Sequence, residues 1–165
     1  MEDNNETSLH SLAGKYLTFH LSGEYYGLEI IKVQEIIKMM EVTRVPRTPE
    51  FVRGVINLRG KVIPVIDLRL KFEIEHQEDT DKTCVIVVQV KNNDETITII
   101  GIIVDEVSEV MDIEADQIEP SPSFGANIDT NFILGMGKVG KKVLSMLDID
   151  QILSSEEIAS MEKIS

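Results

Sequence analysis

Residues 51–68, FVRGVINLRGKVIPVIDL, hold two apolar runs, 55–58 and 62–68, on either side of Arg59-Gly60-Lys61. Apolar runs flanking a short glycine-containing turn predict a β-hairpin with Arg59 at its tip. Pro64 has no N–H to give a ladder, so the second run is expected at a sheet edge or a bulge, in a small sheet.

Residues 132–149, FILGMGKVGKKVLSMLDI, repeat that stretch without a gap. A slide of 81 positions (132 minus 51) sets Phe132 on Phe51, Gly135 on Gly54, Lys142 on Lys61, Val143 on Val62 and Asp148 on Asp67. Upstream, Tyr26-Gly27-Leu28 and Val33-Gln34-Glu35-Ile36 pair with Ile100-Gly101-Ile102 and Val107-Ser108-Glu109-Val110 at a shift of 74 (101 minus 27). Between them Thr48-Pro49-Glu50-Phe51 resembles Ser121-Pro122-Ser123-Phe124, after which the second copy carries the additional GANIDTNF. The chain reads as one unit used twice, and a repeat of this length predicts two structural units packed on one another.

With 165 residues, 42% of them hydrophobic, the chain can bury a core but is too short for two large domains. Its 29 Asp and Glu against 16 Lys and Arg give a net charge of −13, which argues against nucleic acid and against an anionic membrane surface as partners. Proteins or small molecules remain. The single cysteine, Cys84, lies in the apolar run 84–90 and is expected to be a buried, inert thiol. One cysteine allows no disulfide within the chain, which suits a reducing compartment. The apolar run 97–104 falls far short of the roughly 20 residues of a membrane span, and the acidic start MEDNNETSLHS is unlike a secretory signal. A cytoplasmic protein without direct membrane insertion is expected.

Residues 1–14 lack periodicity and are expected to form a disordered tail. From Tyr16 polar and apolar residues alternate, predicting a half-buried strand with Leu17, Phe19 and Leu21 inward and His20 on the solvated face. Ser22-Gly23-Glu24 then turns the chain into a return strand over 25–29. Over 30–40, Ile30, Val33, Ile36, Ile37 and Met40 share one face of a helical wheel, whereas the matching residues 104–113 are rich in β-branched side chains. One or two helical turns followed by a strand are therefore expected in both copies. Ile31 and Met39 fall on the polar side beside Glu35, as a contact surface or as ordinary exposed apolar residues. Residues 41–50, with Pro46 and Pro49, predict a short strand and an extended connection. Residues 72–82, FEIEHQEDTDK, predict a solvated linker. Ser154-Ser155-Glu156-Glu157 has capping-box spacing ahead of Ile158, Met161 and Ile164, predicting a C-terminal helix over 154–165.

Candidate chemistry is sparse. His10, His20 and His76 stand in the tail, on a strand and in the linker, none beside a nucleophile. The acidic linker lacks the glycine turn of an oxygen-ligand cation loop. Gly135, Gly137 and Gly140 lack the strand-to-helix context and the Lys-Ser/Thr ending of a phosphate loop. Asp67 and Asp148, at matching places in the two copies, suit accepting backbone N–H bonds at strand ends better than they suit paired catalytic acids. No catalytic residue, metal or cofactor is assigned, and the chain is not expected to be an enzyme.

Four segments resemble the CheW-like family of bacterial chemotaxis coupling proteins: VQEI at 33–36, TRVPRTPEFVRGVINLRGKVIPVIDLR at 43–69, GIIVDEVSEV at 101–110 and LDIDQILSSEE at 147–157. NLRG followed by P-x-x-D-L-R is specific to that family, and the resemblance spans about residues 15–157. It implies an all-β fold of two five-stranded SH3-like barrels packed together with short helices. The first unit would run over 15–71 and the second over 83–153. It also implies an adaptor, a scaffold coupling the cytoplasmic tip of a chemoreceptor, a methyl-accepting chemotaxis protein, to the regulatory domain of the histidine kinase CheA. On the matching positions, receptor contact falls to Val33, Glu35, Gly54 and Arg59, with Ile30, Ile36 and Val104 lining an apolar groove between the barrels for a helical hairpin. Contact with CheA falls on barrel edges. Leu28-Glu29-Ile30 stands where an Ile-Asp-Ile type of triplet is usual, a conservative departure. Arg59 can offer a bidentate fork to a receptor carboxylate, and Glu35 either meets the partner or bonds Arg59 from within. An adaptor of another signalling array shares all of these residues; a small-molecule-binding double barrel is the competing class. An open apolar groove favours an adaptor, and a closed polar pocket with convergent ionisable groups the small-molecule barrel.

Overall fold

The computed structural model describes residues 11–74, 78–121, 132–153 and 157. His10, His76, most of the connection over 121–132 and the expected C-terminal helix lie outside the described residues. In the first copy the elements are β1 (Gly14–Leu21), β2 (Glu24–Glu29), a 3-10 turn (Ile30–Lys32), β3 (Val33–Lys38), β4 (Val52–Leu58), β5 (Lys61–Asp67) and α1 (Leu68–Lys71). In the second they are β6 (Cys84–Lys91), β7 (Ile97–Val104), β8 (Glu106–Ile113), a 3-10 turn (Ala115–Gln117), β9 (Ile118–Glu119), β10 (Ile133–Val139), β11 (Lys142–Leu147) and α2 (Ile149–Ile152).

The strands form two sheets, ordered β8-β1-β2-β11-β10-β9 in barrel 1 and β3-β6-β7-β5-β4 in barrel 2. The orders are the same once each strand is replaced by its counterpart, with the isolated bridge Thr43–Val55 standing where β9 pairs with β10. The barrels do not coincide with the sequence copies. Each takes its first two strands from one copy and its hairpin from the other, and a parallel ladder makes the join. Val65 pairs with Gly101 on β7, and its counterpart Met146 pairs with Gly27 on β2.

That exchange explains the burial. Barrel 1 encloses Tyr16, Ile113, Ile118, Leu144 and Met146, and barrel 2 encloses Ile56, Ile63, Val65, Val85, Val87 and Ile103. A larger third cluster, drawn from both barrels, lies between them; Leu17, Phe19 and Leu21 meet Ile86, Val88 and Val90 there. β1 and β6 thus bury both faces, and each aliphatic side chain so enclosed contributes on the order of 1.5–3 kcal/mol. The half-buried β1 expected from alternation is corrected on this point. Tyr16 and Thr18 face inward as well, and Thr18 is satisfied because its Oγ1 donates to the Glu109 carbonyl and accepts the Glu109 N–H, at 2.7 and 3.1 Å. Cys84 is buried as expected, and burial pushes its thiol pKa up.

Other expectations shift for the same reason. The helical face over 30–40 is a single turn and then a strand in the first copy, because β3 pairs with β6. In the second copy there is no turn; Asp105 alone joins β7 to β8. The short strand expected over 41–50 shrinks to the Thr43 bridge. β5 is an internal strand rather than an edge, and Pro64 is accommodated because the ladder to β7 begins one residue later. The linker over 72–82 is not simply solvated. Phe72 stacks on Phe132 at 4.9 Å and on Tyr26 at 6.0 Å, and Asp79 joins a charge network.

That network centres on Arg69, which is fully buried. Its Nε and one terminal nitrogen donate to the two oxygens of Asp67, each at 2.9 Å; its other terminal nitrogen reaches Asp105 at 2.9 Å. Asp79 accepts from Arg69 and from Arg53. Burial works against the Arg69 charge, but the hydrogen bonds it donates to Asp67 and the nearby carboxylates outweigh it and raise its pKa. The Arg53 hydrogen bond, aided by Arg69, holds the Asp79 carboxyl below its usual range. Asp67 Oδ1 also accepts the Arg69 N–H and Asp148 Oδ1 the Asp150 N–H, the strand-end role read from the sequence.

Two stability predictions follow from this packing. Gly54 has φ +142°, and a Cβ there would lie 2.0 Å from the Thr43 carbonyl oxygen; at the matching Gly135 the nearest atom would be at 3.0 Å. Gly54→Ala is expected to cost at least about 2 kcal/mol in urea unfolding and Gly135→Ala clearly less. Arg69→Met, which leaves Asp67 enclosed with only Arg53 beside it, is expected to cost roughly 3–5 kcal/mol in the same measurement.

Candidate functional site

The hairpin read from residues 51–68 forms as expected, with Arg59 and Gly60 as its two turn residues at φ +53° and +87°. Positive φ at both positions marks the two-residue turn whose twist matches its strands. Asn57 Oδ1 accepts the Gly60 N–H at 2.9 Å and steadies it. Glu35 stands on β3, just past a bulge at Gln34 where the pairing with β6 slips by one residue. The bulge leaves Val33, Glu35 and Ile37 half-buried and turns Gln34, Ile36 and Lys38 outward.

The structure brings Glu35 and Arg59 together. The guanidinium meets the carboxylate through two parallel bonds, 2.8 Å to Oε1 and 2.7 Å to Oε2. The Arg59 side chain stays 69% exposed and that of Glu35 23%. Of the two roles open to Glu35, bonding the hairpin tip is the one seen. The hydrogen bond from Arg59 holds the Glu35 carboxyl below its usual pKa, and the raised Arg59 pKa has the same cause.

The other five positions divide. Val33 packs against the core between the barrels. Gly54 is buried, and its role is the close approach of the Thr43 backbone. Ile30, on the turn leading from barrel 1 to barrel 2, and Ile36, on β3, are exposed. Val104 is the counterpart of Ile30 at the shift of 74, yet it is 0% exposed against 37% for Ile30. It is corrected from groove wall to core residue, because the β7–β8 corner is drawn in by Asp105, which accepts the Ser22 N–H at 2.6 Å and pairs with Arg69. The duplication therefore leaves this surface on one side only. Arg59 corresponds to Gly140, so Glu109, the counterpart of Glu35, has no matching arginine.

An open cleft of about 490 Å³ lies beside the Arg59 turn, between β5 and β7. Val62, Ile63, Pro64, Ile97 and Ile99 give it apolar walls, with Arg59 and Lys61 among its lining. A second, wider cavity of about 950 Å³ near Met39, Met40 and Leu70 contains Arg53 and Asp79, which are already paired. The cleft carries the cations Arg59 and Lys61, and no carboxylate, histidine or cysteine is among its lining residues. Among the described residues no group of His, Cys, Asp and Glu could hold a metal ion. The cleft and the Arg69 network were not read from the sequence. The signals were there: Pro64 faces Ser145 across the repeat, and Arg69 belongs to the P-x-x-D-L-R element.

The sequence profile of the CheW-like domain matches residues 15–157. The chain is 41% identical over 150 residues to the chemotaxis protein CheW of Klebsiella aerogenes, covering 91% of this chain and 87% of that one. It is 34% identical over 155 residues to the chemotaxis protein CheW of Helicobacter pylori, covering 94% and 87%. The crystal structure of the scaffolding protein TtCheW from Thermoanaerobacter tengcongensis is similar with a TM-score of 0.75 at 36% identity, over 88% of this chain and 97% of that one.

The depressed Glu35 pKa is testable by carbon-detected NMR titration. The Glu35 carboxyl is expected to titrate below the ordinary value of about 4.3 and to return towards it in Arg59→Gln. The stabilisation from the pair is present above that ordinary value and is lost as pH falls through the depressed one.

Proposed function

The chain belongs to the CheW-like family, and we propose that it joins the cytoplasmic tip of a chemoreceptor to the regulatory domain of the kinase CheA. It is a chemotaxis adaptor of the scaffold type, with partners in a signalling array. Its work is to hold proteins in register. The proposed setting is the cytoplasm; among the described residues, no helix is long and apolar enough to cross a membrane.

The observation that supports the receptor contact best is the exposed fork of Arg59, held in place by Glu35. An exposed ion pair is worth little to folding, so a guanidinium kept in one orientation at a turn is more useful as a register mark for a partner. Ile30 and Ile36 supply exposed apolar surface, and a helical hairpin anchored on such side chains would take its register from a charged rim. Val33 and Gly54 act in this reading by shaping β3 and β4 beneath the contact, and Val104 by filling the core behind it.

Calorimetric titration with a receptor-tip fragment and, separately, with the CheA regulatory domain tests the bridging role. Arg59→Glu sets two carboxylates against each other and reverses the rim charge. It is expected to leave the circular dichroism spectrum unchanged and to weaken receptor-tip binding at least about tenfold. Unchanged receptor affinity in that variant would remove Arg59 from the contact.

A further inference from the structure

The two barrels repeat each other closely, so a difference between matching positions reveals what has been built into one of them. In barrel 1 the parallel ladder between β11 and β2 runs through four pairs, from Leu144–Tyr25 to Leu147–Leu28. The matching ladder in barrel 2 begins only at Val65–Gly101. Val55 gives both of its backbone groups to Thr43, so the Val55–Pro64 pair is not hydrogen-bonded and the Pro64 nitrogen faces β7. Where Ser145 can donate in barrel 1, Pro64 cannot, and the ladder stops. β5 over 61–64 and β7 over 97–99 part there, and the space between them is the 490 Å³ cleft.

Barrel 1 shows what belongs in such a place. The counterpart of Ile99 is Tyr25, and the counterpart of Lys61 is Lys142. The Lys142 ammonium lies 4.8 Å from the centre of the Tyr25 ring, and His20 packs edge-on against the same ring at 4.4 Å. In barrel 2 the ring is missing, the proline holds the strands apart, and Ile97, standing where barrel 1 has Gly23, is exposed; Val62 is exposed as its counterpart Val143 is. Among the described residues Lys61 has no ion pair.

We propose that the cleft between β5 and β7 receives an aromatic side chain carried by a protein partner on an acidic segment, in the way the Tyr25 ring sits under Lys142 in barrel 1. The ring would pack on Ile97, Ile99 and Val62 beneath the Lys61 ammonium, and carboxylates beside it would meet Lys61 and the outer edge of Arg59. Only the assignment of the occupant to a signalling partner rests on the adaptor reading; the cleft's preference does not.

The test uses the full chain, labelled with ¹⁵N, and two peptides at millimolar concentration, acetyl-Asp-Phe-Asp-amide and acetyl-Asp-Leu-Asp-amide. The phenylalanine peptide is expected to shift the amides of Val62, Ile63, Thr98 and Ile99, and the leucine peptide to bind at least about fivefold more weakly. The double variant Pro64→Ser/Ile99→Tyr, which restores the arrangement of barrel 1, is expected to abolish these shifts. Should it fail to fold, Ile97→Ser at an exposed position is expected to weaken them. No shift at these amides, equal binding of the two peptides, or full binding by a folded double variant would each overturn the proposal. Failure of the receptor-tip and CheA titrations with these shifts intact would instead overturn the adaptor reading and leave the cleft standing.

Discussion

The parallel ladder is the constraint on which the rest depends. In each barrel a hairpin from one copy is joined by it to the first two strands of the other, so neither copy can close its own barrel. The large core between the barrels exists because of that exchange, and so does the two-sided burial of β1 and β6. The crossing points are locked by charge. Arg69 follows the hairpin in the first copy and meets Asp105 at the β7–β8 corner. At the matching place in the second copy stands Asp150, which pairs with Lys32 beside the β2–β3 corner at 2.8 Å. The polarity is reversed. The carboxylate in each lock also accepts a matching backbone N–H, from Ser22 in one case and Lys91 in the other. Were a copy to pair with itself, Arg69 would approach Lys32 and Asp150 would approach Asp105. The like charges disfavour that arrangement, and the exchanged pairing is the one that satisfies both locks.

Much of the fold was legible because the repeat is written in apolar positions and glycines. The hairpin, the Arg59 tip, the match of Gly54 to Gly135 and the strand-end roles of Asp67 and Asp148 all came from local pattern and spacing. What failed to show in the sequence was pairing. A helical wheel through Ile30, Val33, Ile36 and Ile37 and an alternating strand use the same residues, and only the partner β6 decides between them. Alternation in β1 predicted one wet face, but Tyr16 and Thr18 line a barrel whose strands other than β1 and β2 come from the second copy. Arg69 was read as the end of a motif; its burial depends on Asp105, brought to it by the strand exchange.

The candidate site was legible by residue but not by role. The family motif marks Glu35 and Arg59, and they do meet; the resemblance also points to Gly54 and Val104, and both lie inside. Functional asymmetry in a duplicated protein resides at positions where the copies differ, so aligning the copies for likeness passes over it. Arg59 against Gly140, Pro64 against Ser145, Ile99 against Tyr25 and Ile30 against Val104 are four such differences. All four leave their open or charged member on the barrel 2 side of the duplication or on the turn leading into it.

A scaffold must hold its contact groups still in isolation and yet release them cheaply to a partner. In the proposed receptor contact the Glu35–Arg59 pair would meet both conditions because of where it lies. Its two parallel bonds fix the guanidinium, while solvent screens the pair enough that little would be lost were a partner carboxylate to take over one of the bonds. Buried deeply, as Arg69 is, the same pair would resist exchange, since separating it would leave a charge in the interior. Among the described residues arginine–carboxylate chemistry is thus found buried, where the fold must not move, and exposed, where the proposed contact would have a partner read it.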